Sequence, residues 1–281
     1  MRQNSYDGRG TLYLIPTPIG NLDDITIRGL NTLKLVDLLL CEDTRVTGIL
    51  LKKFNIKKKL LRCDEYMQEK VKDVVIDALK CGKMVGLVSD AGSPVISDPG
   101  YKVVSYVING GYNVVALPGA TAFVPALISS GILPAPFTFI GFLNSNVNKQ
   151  RKELEILKDK RETLIFYEAP HRIEKTLKNM LEFFGDRQIA ICREISKRYE
   201  EIIRGSISEC LDEISNIKGE IVIVVTGNKE IVDYSDLSLI DHVNVYLSDG
   251  LSEMDAIKKV AKERKVAKSI IYKQYLNEKG K

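Results

Sequence analysis

The stretch VGLVSDAGSPVISDPG, residues 85–100, sets an apolar run against a turn-rich segment. Val85 to Val88 has the length and composition of a buried strand. Residues 89–100 hold two Asp, two Pro, two Gly and three Ser. Gly lets backbone approach a ligand closely, and Pro fixes a loop's path. With no Cys, His or Lys, the segment shows no nucleophile–base pair. It reads as a cradle at the carboxyl end of a strand, where open α/β sheets bind their ligands.

Three other turns follow apolar runs in the same way: PTPIGN (16–21), CEDTR (41–45) and PGATA (118–122). Between them lie helical patterns, DITIRGLNTLKLVD (24–37), EKVKDVVIDALKCG (69–82) and a segment near 99–109. Alternating strand and helix predicts a largely parallel α/β sheet. A second α/β set begins after FTFIGFL (137–143), with strands in ETLIFYEAPHRI (162–173), RQIAICREI (187–195) and GEIVIVVTG (219–227). Ser206 and Glu209 have the spacing of a capping box. The block 252–276 is helical, as two short helices meeting through Ile257, Val260, Ile270 and Ile271. The expected division is 1–118 and 119–230 as α/β domains and 231–281 as a basic helical extension.

Hydrophobic residues make up 44% of the 281 and charged residues 28%, the balance of a soluble globular chain. The net charge is +4, but residues 251–281 carry nine Lys/Arg against four Asp/Glu, a net of +5, so the rest is near neutral. A basic tail on a neutral body suggests a polyanionic partner. Five scattered Cys without a C-x-x-C fit a reducing, cytoplasmic setting. With only His171 and His242, no metal site is expected. The polar start MRQNSYDGRG shows no signal peptide. Val103 to Asn148 holds no charged residue, but Pro118, Pro125, Pro134 and Pro136 interrupt it. It is therefore expected to be a pocket wall or an interdomain or subunit contact, not a membrane helix. The absence of G-x-G-x-x-G and of G-x-x-x-x-G-K-[ST] argues against dinucleotide and P-loop sites.

LIPTPIGNLDDIT (14–26), CEDTR (41–45), VSDAGSPVISDPG (88–100), LPGATA (117–122), FYEAPHRI (166–173) and CREISKRYEE (192–201), in this order and spacing, form a joint pattern. The pattern closely resembles that of the 16S rRNA-directed 2′-O-ribose methyltransferases in the tetrapyrrole methylase superfamily. The resemblance implies a two-domain tetrapyrrole-methylase-like α/β fold with S-adenosylmethionine in the interdomain cleft, plus a small C-terminal helical extension. It also implies a homodimer that methylates a cytidine ribose in the decoding region of 16S rRNA within the small ribosomal subunit. Gly92-Ser93-Pro94 aligns with the superfamily's G-D-P-x-x-[FY] loop, which implies cofactor contacts at Ala91, Gly92, Ser93 and Ile96, with Ser93 in place of the Asp. The superfamily's Thr-Ala pair falls at Thr121 and Ala122. Its second-domain contact falls at Glu168 and Ala169, and a glycine before the capping-box helix at Gly205. Residues 16–21 depart from the usual G-x-G-P-G-D and are instead expected to shape a substrate pocket.

A ribose hydroxyl is a weak acid, so a neighbouring base or cation is needed. The candidates are Glu42, Asp43 and Arg45, then His171 and Arg172, then Glu194, Lys197 and Glu201. CEDTR reads equally as a helix cap on Asp43 or Thr44, and His171 as a helix start behind Pro170. KKFNIKKKLLR (52–62), with Lys57, Lys58 and Lys59, is either a solvated face or a phosphate contact. Lys258, Lys262, Arg264 and Lys265 in the tail are the other RNA-facing candidates. Two other readings stay open: a tetrapyrrole-precursor methyltransferase, and a non-enzymatic nucleic-acid-binding regulator with a metabolite-sensing core.

Overall fold

The computed structural model describes residues 3, 5, 7–228, 237–248 and 250–279, of which 278 and 279 by backbone alone. They fall into two compact units, 1–228 and 229–281. The division expected at residue 118 falls in a loop inside the first unit.

The first sheet takes β1 (Thr11–Leu14), β2 (Leu38–Cys41), β3 (Leu60–Arg62), β4 (Met84–Val88) and β5 (Asn113–Ala116) in the order β3-β2-β4-β1-β5, all parallel. Helices α1 (Ile27–Leu35), α2 (Thr44–Lys53), α3 (Gln68–Lys80) and α4 (Tyr101–Asn109) cover both faces, as a parallel sheet requires. Alternate residues serve alternate faces. Leu12, Leu38, Leu40 and Leu87 pack with Val71, Val75 and Val103. Tyr13, Leu39, Cys41 and Val88 pack with Leu33 and Leu51. Burying each such Leu contributes about 1.5–3 kcal/mol. After β1 the chain moves to β2 on one side; after β4 it moves to β5 on the other. The carboxyl ends of the adjacent strands β1 and β4 thus mark the switch point, where a crevice opens.

The second sheet takes β6 (Phe137–Phe142), β7 (Thr163–Glu168), β8 (Gln188–Arg193), β9 (Glu201–Ser206) and β10 (Ile221–Val225), ordered β6-β7-β10-β8-β9. This second sheet is mixed. Only β6 and β7 run parallel; the other three pairings are antiparallel. The connection from β8 to β9 spans only residues 194–200, too short for a crossover, so it closes a hairpin. Helices α6 (Val147–Leu157), α7 (Ile173–Phe184) and α8 (Ile207–Glu213) share a core with Leu164, Phe166, Ile191 and Ile223. Helix α5 (Phe123–Ser129) packs through Ala126 and Leu127 on Ile165, Ala190, Val222 and Val224. The capping box at α8 is present in both directions between Ser206 and Glu209.

In the second unit the described part is three helices, α9 (Leu239–Ser248), α10 (Glu253–Arg264) and α11 (Lys268–Lys279). They close on their own core of Val243, Tyr246, Ile257, Val260, Ile271 and Tyr275. Ile270, expected to pack, is 49% exposed. It neighbours Ile271 on one helix, and adjacent residues there point about 100° apart. Residues 231–236, at the start of the expected extension, lie outside the described residues. Among the described residues no helix is long and apolar enough to cross a membrane.

Candidate functional site

A cleft of about 490 Å³ opens at the carboxyl ends of β1, β2, β4 and β5, faced by the second sheet. Its volume suits a small-molecule ligand. The first sheet supplies Ile19 after β1, Glu42 after β2, the β4 loop at Asp90–Ser93 and Ile96–Asp98, and Thr121 and Ala122 before α5. The second sheet supplies Phe142, Tyr167, Glu168, Ala169 and Pro170, then Cys192, Ile195 and Glu220–Val222. Ala91, Gly92, Ser93, Ile96, Thr121, Ala122, Glu168 and Ala169 are thus brought together. Gly205 stands apart within β9, where a Cβ would lie 2.8 Å from Glu209 Oε2 and 3.6 Å from Cys210 Sγ. Its missing side chain makes room for the capping box.

The β4 loop is anchored on two sides. Thr17 N–H donates to Gly92 O at 2.9 Å, and Gly92 N–H donates to Thr17 O at 3.0 Å. Ser93 Oγ donates to Ala120 O at 3.0 Å. Gly92 has φ +82, and a Cβ there would meet Ile19 Cγ2 at 3.2 Å. Val95 has φ 76, a costly conformation for a β-branched residue. Such strain persists where the surrounding structure over-determines the backbone, as it does between the Ser93 anchor and Gly100, whose N–H donates to Gln68 Oε1 at 3.0 Å.

The cleft is acidic on its first-sheet side. Among the described residues, Glu42, Asp90 and Asp98 hold no ion pair. Burial and the neighbouring Asp90 push the Asp98 carboxyl up to about 6. Burial also raises Glu42, helped by the charges of Asp90, Asp98, Asp64 and Asp43. Asp90 and Asp98 were not among the candidates of the sequence. The Asp-Pro that follows Ile96 reads as turn chemistry until the fold turns Asp98 to the cleft.

The other candidates are engaged. Asp43 is the N-cap of α2 and accepts from Arg45 N–H at 2.8 Å and Arg45 Nε at 3.0 Å. The Arg45 guanidinium holds the Asp43 carboxyl well below the usual carboxylate range. Lys197 Nζ donates to Glu194 Oε1 at 2.8 Å and to Glu220 Oε2 at 3.0 Å. Glu194 and Ser196 both have positive φ, 51 and 69. Ser196 Oγ donates to the Asp24 carboxylate, and a Cβ on Gly20 would run into Lys197 Cγ. The β8–β9 loop therefore clasps the loop after β1. The Glu168 carboxylate accepts from Ala169 N–H at 2.8 Å and Thr176 Oγ1 at 2.6 Å, and pairs with Arg172 Nε at 3.2 Å. Glu201 pairs with Arg193, and His171 is exposed outside the cleft lining.

The basic candidates divide. Lys57 and Lys59 are exposed, whereas Lys58 Nζ donates to the carbonyls of Lys34 and Val36, closing the end of α1. Lys258, Lys262 and Lys265 are exposed in the second unit. Arg264 turns inward, donating from Nε to His242 Nδ1 at 3.1 Å and from Nη2 to Leu237 O at 2.7 Å. Among the described residues no His, Cys, Asp and Glu group is placed to hold a metal ion.

The model of the Tetrapyrrole (Corrin/Porphyrin) Methylases matches residues 11–211. Solved structures share the fold. A uroporphyrin-III-C-methyltransferase from Thermus thermophilus superposes with TM-score 0.54 and 19% identity over 82% of this chain and 96% of that one. A cobalt precorrin-4 methyltransferase does so with TM-score 0.58 and 20% identity over 80% and 98%. The ribosomal RNA small subunit methyltransferase I of Bacillus subtilis is 48% identical over 98% of both chains. The protein of that name from Thermotoga maritima is 44% identical over 78% of this chain and 100% of its own. The chain is a methyltransferase that belongs to the tetrapyrrole (corrin/porphyrin) methylase family, in the group of the ribosomal RNA small subunit methyltransferase I proteins.

Proposed function

We propose that this chain transfers the methyl group of S-adenosylmethionine to the 2′-hydroxyl of a cytidine in the decoding region of 16S rRNA, acting on the small ribosomal subunit. The observation that carries the reading is the near-full-length similarity to methyltransferases named for small-subunit rRNA, at 48% and 45% identity over 98% of this chain. A tetrapyrrole precursor as substrate would leave the exposed lysines of the second unit without a use.

The residues present fit the cofactor. S-adenosylmethionine would bring an activated methyl on a sulfonium cation. Glu42 and Asp90 give the cofactor side of the cleft negative charge with no cation of its own among the described residues, which complements that ligand. Ile19, Ile96, Phe142, Tyr167 and Ile195 provide apolar wall that excludes water and leaves charge poorly screened. Ala91, Ser93, Thr121, Ala122 and Ala169 would seat the cofactor through short side chains and backbone, with Gly92 as the bend that sets the β4 loop against it. The role of the cleft is then to hold acceptor and methyl in line, which supplies much of the rate.

Lys57, Lys59, Lys258, Lys262 and Lys265 would add phosphate contacts. Exposed Ile128 and Leu133, 71% and 70% accessible, support a homodimer on the uncharged segment. A cytoplasmic location follows from the ribosomal substrate. Incubating 30S particles with methyl-labelled S-adenosylmethionine tests the reading: label should enter 16S rRNA, and label only in a tetrapyrrole precursor would overturn it.

A further inference from the structure

We propose that Asp98 is the proton acceptor for the ribose hydroxyl that receives the methyl, tuned for that task by its burial and by the neighbouring Asp90. The inference rests on the proposed 2′-O-methylation and supplies the base which that reaction needs.

Position comes first. Asp98 lies on the wall of the cleft, in the anchored β4 loop, and its charge acts on Tyr167 of the opposite sheet. Its neighbour Ser97 sits against β6, where a Cβ on Gly141 would be 3.8 Å from Ser97 Oγ. The loop thus spans from one sheet to the other and carries the carboxylate with it.

Availability comes second. Asp43 is held by Arg45, Glu194 and Glu220 by Lys197, and Glu168 by Thr176, Ala169 and Arg172. Asp90 accepts the Asp43 N–H at 3.2 Å. Among the described residues, no hydrogen bond or ion pair engages Glu42 or Asp98. Hydrogen-bond donors and cations stabilise the ionised form of a carboxylate and make it a weaker base; these two carry neither.

Charge comes third. The groups facing Asp98 are Asp90 at the end of β4, Glu42 at the end of β2 and Tyr167 on β7, with no cation among them. An ordinary exposed Asp is too weak a base for an alcohol at neutral pH, and efficiency rises as the base approaches the working pH. Burial and Asp90 move Asp98 in that direction, up to about 6. In the transfer, the hydroxyl O–H bond breaks toward Asp98 and the oxygen bonds to the methyl carbon. The sulfur keeps the electron pair of the broken S–C bond and becomes neutral. The proton then leaves Asp98 for solvent.

The test is single-turnover methylation of 30S particles across pH, with S-adenosylmethionine affinity measured by calorimetry on the same proteins. Asp98→Asn, nearly isosteric, should lose a hundredfold or more in rate, within the about 10²–10⁴ that general bases contribute. Its cofactor affinity should stay within about threefold, and Asp98→Glu should recover part of the rate. Asp90→Asn removes the repelling charge, so the acid limb of the rate profile should move to lower pH. A rate within threefold of wild type in Asp98→Asn would overturn the proposal. So would an unmoved acid limb in an active Asp90→Asn, or a parallel loss of cofactor affinity in Asp98→Asn. Wild-type protein that puts no methyl on a ribose of 30S particles would sink the 2′-O reading itself, a result distinguishable from an active wild type with an equally active Asp98→Asn.

Discussion

Thr17 and Gly92 exchange both of their backbone hydrogen bonds, at 2.9 and 3.0 Å, and so clip the loop after β1 to the loop after β4. Gly92 consequently has neither its N–H nor its C=O to offer a ligand. It acts as the bend that sets Ala91, Ser93 and Ile96 along the cleft, and the loop after β1 joins the site through Ile19.

Gly92→Val places a branched side chain at φ +82 against Ile19 Cγ2, 3.2 Å from the new Cβ. The backbone strain alone is about 1–3 kcal/mol. The expected outcome is a folded protein that melts several degrees lower and binds S-adenosylmethionine at least about tenfold more weakly. Calorimetry with a thermal melt checks it, and unchanged affinity in the folded variant would show that this bend does not shape the cofactor site.

Asp98 should make the fold less stable at neutral pH. Its carboxyl titrates near 3.8 in the unfolded chain and about 6 in the folded one. Between those values the folded state binds more protons, so this group's stability is fully present below the unfolded value and is lost as pH rises through the folded one. Asp98→Asn should therefore gain about 1–2 kcal/mol near pH 8, after discounting for solvent screening at a half-buried site, and almost nothing near pH 3. Melting curves at the two pH values check the sign. A variant that gains activity and stability together would contradict the trade that functional carboxylates impose.

Lys197→Met removes the cation shared by Glu194 and Glu220 and frees the β8–β9 loop from its ion pairs. The loss of two charged hydrogen bonds, one partly buried, should cost about 1–3 kcal/mol. Turnover on 30S particles should fall while S-adenosylmethionine affinity stays within about threefold, because Lys197 does not line the cleft. Single-turnover rates and calorimetry on the same preparation separate the two.

Lys258, Lys262 and Lys265 changed together to Gln should weaken 30S binding and lower its salt slope by about 2–3, one unit for each phosphate no longer neutralised. The three-helix core of Ile257, Val260 and Ile271 is untouched, so melting should not change. Binding isotherms at several salt concentrations give the slope; an unaltered slope would remove these lysines from the RNA interface.

The first sheet was legible because buried strands and capped helices alternate there; Met84–Val88 and the Ser206–Glu209 box stand where the pattern puts them. Some strands escaped. Leu60–Arg62 is embedded in lysines, and its pairing with β2 is a tertiary fact. Glu201–Ser206 follows a charged loop, and hairpin pairing with β8, not its own pattern, makes it a strand. The loops of the cleft were legible from their Gly and Pro, but the duties of the charged residues were not. Asp43 takes the helix-cap reading with Arg45, whereas Glu194 and Lys197 prove paired in a way the sequence hides, because the shared partner Glu220 is distant along the chain. Asp98 looked like part of a turn, and only the approach of the second sheet gives it a cleft to face.

The central claim is that this cleft delivers a methyl to a ribose oxygen of small-subunit rRNA. The most direct measurement is mass spectrometry of 16S rRNA fragments after 30S particles react with wild-type protein and isotope-labelled S-adenosylmethionine. The expected result is one labelled methyl on the 2′-oxygen of a single decoding-region cytidine, recognised by the resistance of the adjoining phosphodiester to alkali. A methyl on a base, or rRNA without label beside a labelled tetrapyrrole precursor, would contradict it.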